Sequence, residues 1–288
     1  MSSFELVYPA NCRLGESPVW CAQSAELLFV DITGQSLHRF SPASGTLATF
    51  RVEEDIGFVA PTRSGGFVAG LRSGVWLLDE HARKVRLLAT NPGDERTLRF
   101  NDGAIDPCGR LIIGTIDQTR RAGRAGLYRL GADGLSEIAS GLLTSNGVAF
   151  APDGRTLYHS DTPRFLIYRR DYSAQTGSAG PAAVFARLDP DAPDRARPDG
   201  GAVDSAGNYW SALYEGSRVH CYDAQGRLLA AYPVPARIPT MPAFGGSDLK
   251  TIYLTTAMDA DDGGGLYAMR VETAGVRPNS FDEEPFLP

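Results

Sequence analysis

One phrase recurs along this 288-residue chain and constrains its fold more than any other feature: a polar residue, a short apolar strand, a tight turn and a second strand. Its clearest copy is the stretch from Thr144-Ser145-Asn146-Gly147-Val148 to Pro152-Asp153-Gly154 and Arg155-Thr156-Leu157-Tyr158. The turn reverses the backbone at low cost because proline presets φ and glycine accepts positive φ. Earlier copies centre on Glu16-Ser17-Pro18-Val19-Trp20, Ile56-Gly57-Phe58-Val59-Ala60-Pro61 and Asn101-Asp102-Gly103-Ala104-Ile105. Later ones centre on Asp199-Gly200-Gly201-Ala202-Val203 and Met241-Pro242-Ala243-Phe244-Gly245.

These six copies start roughly every 40 to 53 residues, the spacing of four-stranded propeller blades. Further short strands follow each, such as Gly126-Leu127-Tyr128-Arg129-Leu130 and Val85-Arg86-Leu87-Leu88. Sandwiches also consist of short strands and turns, but the copies resemble one another and are too long for single hairpins. No stretch sustains a helical period. The expectation is an all-β, six-bladed β-propeller with four antiparallel strands per blade, forming one domain over residues 1–288. The 32 glycines and 19 prolines fit, because they sit at recurring turns and not in a low-complexity tract.

In such a ring the innermost strand of each blade lines a central channel, so residues at the same slot meet around the axis. The slot holds Glu16, Asn101, Asn146 and Asp199 in four blades. The second blade offers Ile56 or Gly57 there, and the sixth Thr240 or Met241. Two carboxylates and two amides in a narrow channel are costly unless satisfied. One solution is a divalent cation in the channel: oxygen donors suit Ca²⁺, Mg²⁺ or Mn²⁺, and a sparse site also accepts Zn²⁺ or Fe²⁺. The other is a hydrogen-bonded polar plug with trapped water. His38, His81, His159 and His220 lack metal-pair spacing and are expected to pack on strands.

Other features narrow the class. A net charge of −6 without a long Lys/Arg run disfavours nucleic acid. The cluster Arg120-Arg121-Ala122-Gly123-Arg124 reads most simply as a solvated loop and less often as a contact for an anionic ligand, and no apolar run is long enough for a membrane. Cys12, Cys21, Cys108 and Cys221 have no CxxC spacing, and no signal peptide is visible, which points to free thiols in a cytoplasmic protein. Nothing implies an obligatory protein partner. The acidic run Asp189-Pro190-Asp191-Ala192-Pro193-Asp194 breaks the EF-hand pattern, and its loop, 186–198, is a candidate cover for the channel mouth.

Several ordered motifs bring a family into view. Leu14-Gly15-Glu16-Ser17-Pro18-Val19-Trp20, Arg99-Phe100-Asn101-Asp102-Gly103, Ser145-Asn146-Gly147, Pro198-Asp199-Gly200 and Phe244-Gly245-Gly246-Ser247-Asp248 resemble signatures of the gluconolactonase/regucalcin (senescence marker protein) family. The resemblance runs nearly end to end. It implies a six-bladed propeller whose metal is held by Glu16, Asn146 and Asp199, with Arg99 and Asn101 contacting substrate. One departure matters: Ile116-Asp117-Gln118-Thr119 lacks the adjacent glutamates of regucalcin itself, so substrate identity does not carry over.

The expected activity is metal-dependent hydrolysis of a sugar lactone, a carboxylic ester, to its aldonic acid. Asp199 would serve as base as well as ligand, and Asp117 and Gln118 are expected to add substrate contacts. The alternatives are a propeller esterase or phosphotriesterase acting on other esters, and a non-catalytic calcium-binding propeller.

Overall fold

Every repeat folds as a twisted antiparallel meander, because each short apolar run is bounded by residues that turn the chain back on itself. The computed structural model describes residues 3–260 and 262–287. The turns share one chemistry: the Oδ1 of Asp106 accepts the Cys108 and Arg110 N–H groups, and that of Asp204 accepts those of Ala206 and Asn208. Such side-chain acceptors fix the reversal locally, so strand register is set before the blades meet.

The first strands of the six blades are Gly15–Cys21, Ile56–Pro61, Leu98–Ile105, Ser145–Phe150, Arg197–Val203 and Pro239–Gly245. Each packs against the first strands of its two neighbours, and the last returns to the first, closing a six-bladed β-propeller. Burial falls from the axis outward. Ile56–Pro61 is buried throughout, whereas Thr46–Arg51, the outermost strand of the first blade, has no buried residue. Between blades, aromatic and aliphatic side chains interlock, as where Trp210 meets Phe244 edge to face at 5.9 Å between the fifth and sixth blades.

Two segments lie outside the simple repeat. The sixth blade contributes Pro239–Gly245, Thr251–Thr256 and Leu266–Arg270, and its fourth strand is Glu5–Tyr8 from the start of the chain. That strand runs antiparallel to Leu266–Arg270, pairing Glu5 with Ala268. Phe4, just before it, is 2% exposed and packs into the cluster containing Trp210, Val219 and Ile252. The fold is therefore tied shut by hydrogen bonds between the two ends of the repeat array.

At the other end of the chain, a tail crosses one face of the ring. Gly275 bridges to Asp204 of the fifth blade, Asn279 donates to the Ile105 carbonyl of the third, and Phe281 pairs with Thr62 of the second. The Glu283 carboxylate accepts the N–H groups of Arg63 and Ser64 at 3.0 and 2.7 Å. Beneath this strap lies an apolar cavity of about 160 Å³, walled by Val19, Phe58, Met241 and Phe244 and by Val276 of the strap.

Because closure depends on a short strand anchored by one large side chain, Phe4→Ala is expected to cost about 3–5 kcal/mol in denaturant unfolding. The exposed Leu6→Ala in the same strand should change stability by less than about 0.5 kcal/mol. Similar effects of the two substitutions would mean that Phe4 is not the anchor.

Candidate metal centre

In all six blades the first strand changes register with its neighbour at or beside the polar slot. The shifts fall between Glu16 and Val19, Ile56 and Phe58, Phe100 and Gly103, Asn146 and Ala149, Pro198 and Gly201, and Pro239 and Met241. A bulge re-aims a side chain and bends its strand, so six of them around one axis direct one residue per blade inward. The two open positions thereby become Gly57 and Thr240. Gly57 carries no side chain, and a Cβ there would stand 2.3 Å from the Phe100 carbonyl oxygen. Thr240 donates to the Gly15 carbonyl oxygen at 2.5 Å, and its hydroxyl lies 2.9 Å from the Thr255 hydroxyl. Gly147, beside Asn146, has φ +61°, and a Cβ there would meet the Tyr209 hydroxyl at 2.3 Å.

Three of the remaining four slots form a connected chain of polar groups. Arg99 Nη1 donates to Asn101 Oδ1 at 2.8 Å, and Asn101 Nδ2 donates to Asn146 Oδ1 at 2.5 Å. Asn146 Nδ2 in turn donates to Asp199 Oδ1 and, at 2.9 Å, to the Thr162 hydroxyl. Glu16 stands on the same pocket, and its Oε2 accepts the Ser17 N–H at 3.1 Å. All five side chains are more than nine-tenths buried. One level deeper, the Asp102 carboxylate accepts the N–H groups of Gly103 and Val148 at 2.7 and 2.9 Å.

These carboxyls crowd one another. Burial lifts the Glu16 pKa well above the ordinary range, with the charges of Asp199 and Asp102 adding to the effect. Asp199 rises for the same reasons, burial first and Asp102 second, and burial carries Asp102 to about 7. Burial also lowers Arg99, to about 10, leaving it charged.

No group of three or more His, Cys, Asp or Glu side chains suited to a metal exists among the described residues. A cation here must therefore take an amide as its third protein donor. Glu16, Asn146 and Asp199 fit that requirement: two carboxylates in need of compensating charge and one neutral oxygen, all on one small pocket of about 80 Å³. The opposite cavity, though larger, is mostly apolar and is lined by no carboxylate; its polar lining residues are Ser17, Arg277 and Asn279.

Asp117 and Gln118, expected beside the substrate, are not in the pocket. The Asp117 carboxylate turns inward and accepts from the Thr119 N–H and hydroxyl at 3.0 and 2.6 Å, while the Gln118 amide oxygen accepts from Arg72 at 2.9 Å. Both residues organise the loop; Ile116 and Arg120 reach the pocket instead. Arg197, Tyr214 and Thr162 also line it, and none of these three carries a motif that points to the site. Arg120 belongs to the basic cluster whose second reading is contact with an anionic ligand, and Arg197 stands two residues before the conspicuous Asp199. Of the 186–198 loop, Arg197 alone lines the pocket; Asp194 pairs with Arg218 and Arg195 stacks on Phe165. His38, His159 and His220 lie on strands, against Phe29, Tyr168 and Tyr222 respectively, and none lines the pocket.

Residues 14–258 match the family described as the SMP-30/gluconolactonase/LRE-like region. The chain belongs to this family. Among relatives in the SMP-30/gluconolactonase group, a 6-deoxy-6-sulfogluconolactonase of Pseudomonas putida is 41% identical over 249 residues, covering 85% of this chain and 84% of that one. A pentonolactonase of Haloferax volcanii is 36% identical over 260 residues, covering 89% and 86%. The crystal structure of a calcium-binding protein, regucalcin, from Agrobacterium tumefaciens superposes with a TM-score of 0.90 at 26% identity, covering 97% of each chain. No helix among the described residues is long and apolar enough to cross a membrane.

Glu16→Gln isolates the electrostatic strain of the site. A carboxyl whose pKa is raised in the folded state contributes stability only at low pH and loses it as pH rises through that folded value. In EDTA, the variant should match the parent near pH 4 and become progressively more stable toward pH 8, by several degrees in Tm. A parent that stays as stable as the variant at pH 8 would show that the Glu16 charge is already compensated.

Proposed function

We propose that this chain hydrolyses a sugar lactone to its aldonic acid, with a divalent cation held by Glu16, Asn146 and Asp199. The observation that carries the reading is the convergence of these three side chains, from the first, fourth and fifth blades, on the pocket that also receives Arg99 and Asn101. The relatives' names support it, since a sulfogluconolactonase and a pentonolactonase both open a lactone ring. Oxygen donors favour Ca²⁺, Mg²⁺ or Mn²⁺ over Zn²⁺ or Fe²⁺. The calcium-binding description of the Agrobacterium protein points the same way.

When bound, the cation supplies Lewis acidity for the ring carbonyl and acidifies a neighbouring water. The chain's own groups do the rest. Asp199 accepts the proton of the attacking water: Asn146 holds its Oδ1 and so fixes the plane of the carboxylate. Asn101 is held by Arg99 on one side and Asn146 on the other, so its amide is oriented before substrate arrives. Arg99 presents guanidinium N–H groups to ring hydroxyls or the carbonyl side. Thr162, bonded to both Asn146 and the Pro198 carbonyl, locks the fourth and fifth blades together at the site.

A propeller esterase for apolar esters would need an apolar mouth, whereas this one carries Arg120, Arg197 and Tyr214. Asp199→Ala is expected to lower kcat for aldonolactone hydrolysis by at least about 10²–10⁴-fold in a folded protein, read as acid release. EDTA should silence the parent reversibly, with re-addition of each metal in turn ranking the cations. Full turnover after thorough metal removal would overturn the mechanism.

A further inference from the structure

Three guanidinium groups, those of Arg99, Arg120 and Arg197, line the pocket. Arg99 is 6% exposed and forms no salt bridge among the described residues; its hydrogen bonds go to the Phe100 carbonyl and to Asn101, both through Nη1. Asp55, the acid whose charge acts most strongly on Arg99, is already paired with Arg72. Arg197 lies over the Tyr214 ring at 5.1 Å and pairs with Glu215 through Nη2, while its Nε is buried with no hydrogen-bond partner. Arg120, an exposed residue in the left-handed region at φ 53°, also lines the pocket. No salt bridge of Arg120 exists among the described residues.

The charges do not balance for a neutral ligand. A divalent cation offsets Glu16 and Asp199, Glu215 offsets one guanidinium, and Asp102, one level deeper, offsets up to one more. At least one positive charge then remains on a pocket of about 80 Å³. An uncharged polyol can be bound by amides and hydroxyls alone; it gives no compensation for a desolvated guanidinium. Oxyanions do, through charge-assisted and often bidentate hydrogen bonds.

Resting on the lactonase reading, we infer that the natural substrate is an anionic sugar lactone. Its ring carbonyl lies at Glu16, Asn146 and Asp199, and a carboxylate, sulfonate or phosphate at the far end of the sugar is held by Arg120 and Arg197. Arg99 sits between the two ends. Tyr214 backs the Arg197 plane and fixes the distance from metal centre to anion, so the position of the anion on the sugar becomes a specificity determinant.

The test compares four lactones on the metal-loaded enzyme: a neutral aldono-δ-lactone and its counterparts bearing a terminal carboxylate, sulfonate or phosphate ester. At least one anionic lactone should exceed the neutral one in kcat/KM by about ten- to a hundredfold, mainly through KM, and the advantage should shrink with added salt. Arg120→Gln, at an exposed position where folding is safe, should lower the anionic-to-neutral ratio by about tenfold, and Arg197→Gln should lower it further. Equal kcat/KM for all four lactones, or an unchanged ratio in Arg120→Gln, would overturn the inference and leave the lactonase reading standing. Calorimetry with the ring-opened acids separates the two ideas from the other side. Tighter binding of the dianionic acids than of the aldonate, lost in Arg120→Gln, would uphold the anion site even if no lactone were turned over. That last outcome would instead remove the lactonase reading.

Discussion

Six strands packed side by side around an axis leave a channel too narrow for more than one side chain per strand at any level. That steric limit governs the rest of the molecule. A regular strand would present alternate residues to its neighbours and nothing to the axis, so each first strand breaks its ladder at one place to turn a residue inward. What is turned inward is cut off from bulk water and must be satisfied by the other blades. Thr240 closes on the backbone of the first blade, Gly57 offers no side chain, and the remaining four slots are left facing one another. The polar site is thus a product of the ring, since no blade could hold these groups alone.

The blade count and the slot residues were legible because they depend on local patterns: turn residues at fixed offsets and a polar residue just ahead of each apolar run. Which of Ile56 and Gly57 faces the axis was not, because bulge position is decided by the neighbouring strand's register. The N-terminal strand and the C-terminal strap carry no repeat signature and draw their structure from contacts far away in sequence. Glu5 pairs with Ala268, and Phe281 with Thr62. Asp117, expected to add a substrate contact, accepts its own loop's N–H groups instead, as a short polar side chain readily does. Arg120 and Arg197 reach the pocket from loops, where periodicity gives no direction.

Electrostatics divides the channel into two unlike ends. At the open end, buried acids raise one another's pKa while arginines stand at the wall and rim. At the strapped end, the cavity is apolar and the backbone N–H groups of Gly103 and Val148 hold the Asp102 carboxylate between the two. Water and ligands reach the charged groups from one side, so the local dielectric stays low beneath them and each charge acts strongly on the next.

The strand that completes the sixth blade also sets an order of events during synthesis. Glu5–Tyr8 leaves the ribosome about 260 residues before its partner Leu266–Arg270. At ordinary translation rates that interval is on the order of tens of seconds, during which the early strand has exposed hydrogen-bonding edges and Phe4 has no core to enter. Individual meanders form locally in that time, but the channel and its acidic centre, drawn from the first, fourth and fifth blades, close only once the sixth blade has been made. Chaperone demand and aggregation risk should therefore concentrate on the unclosed ring.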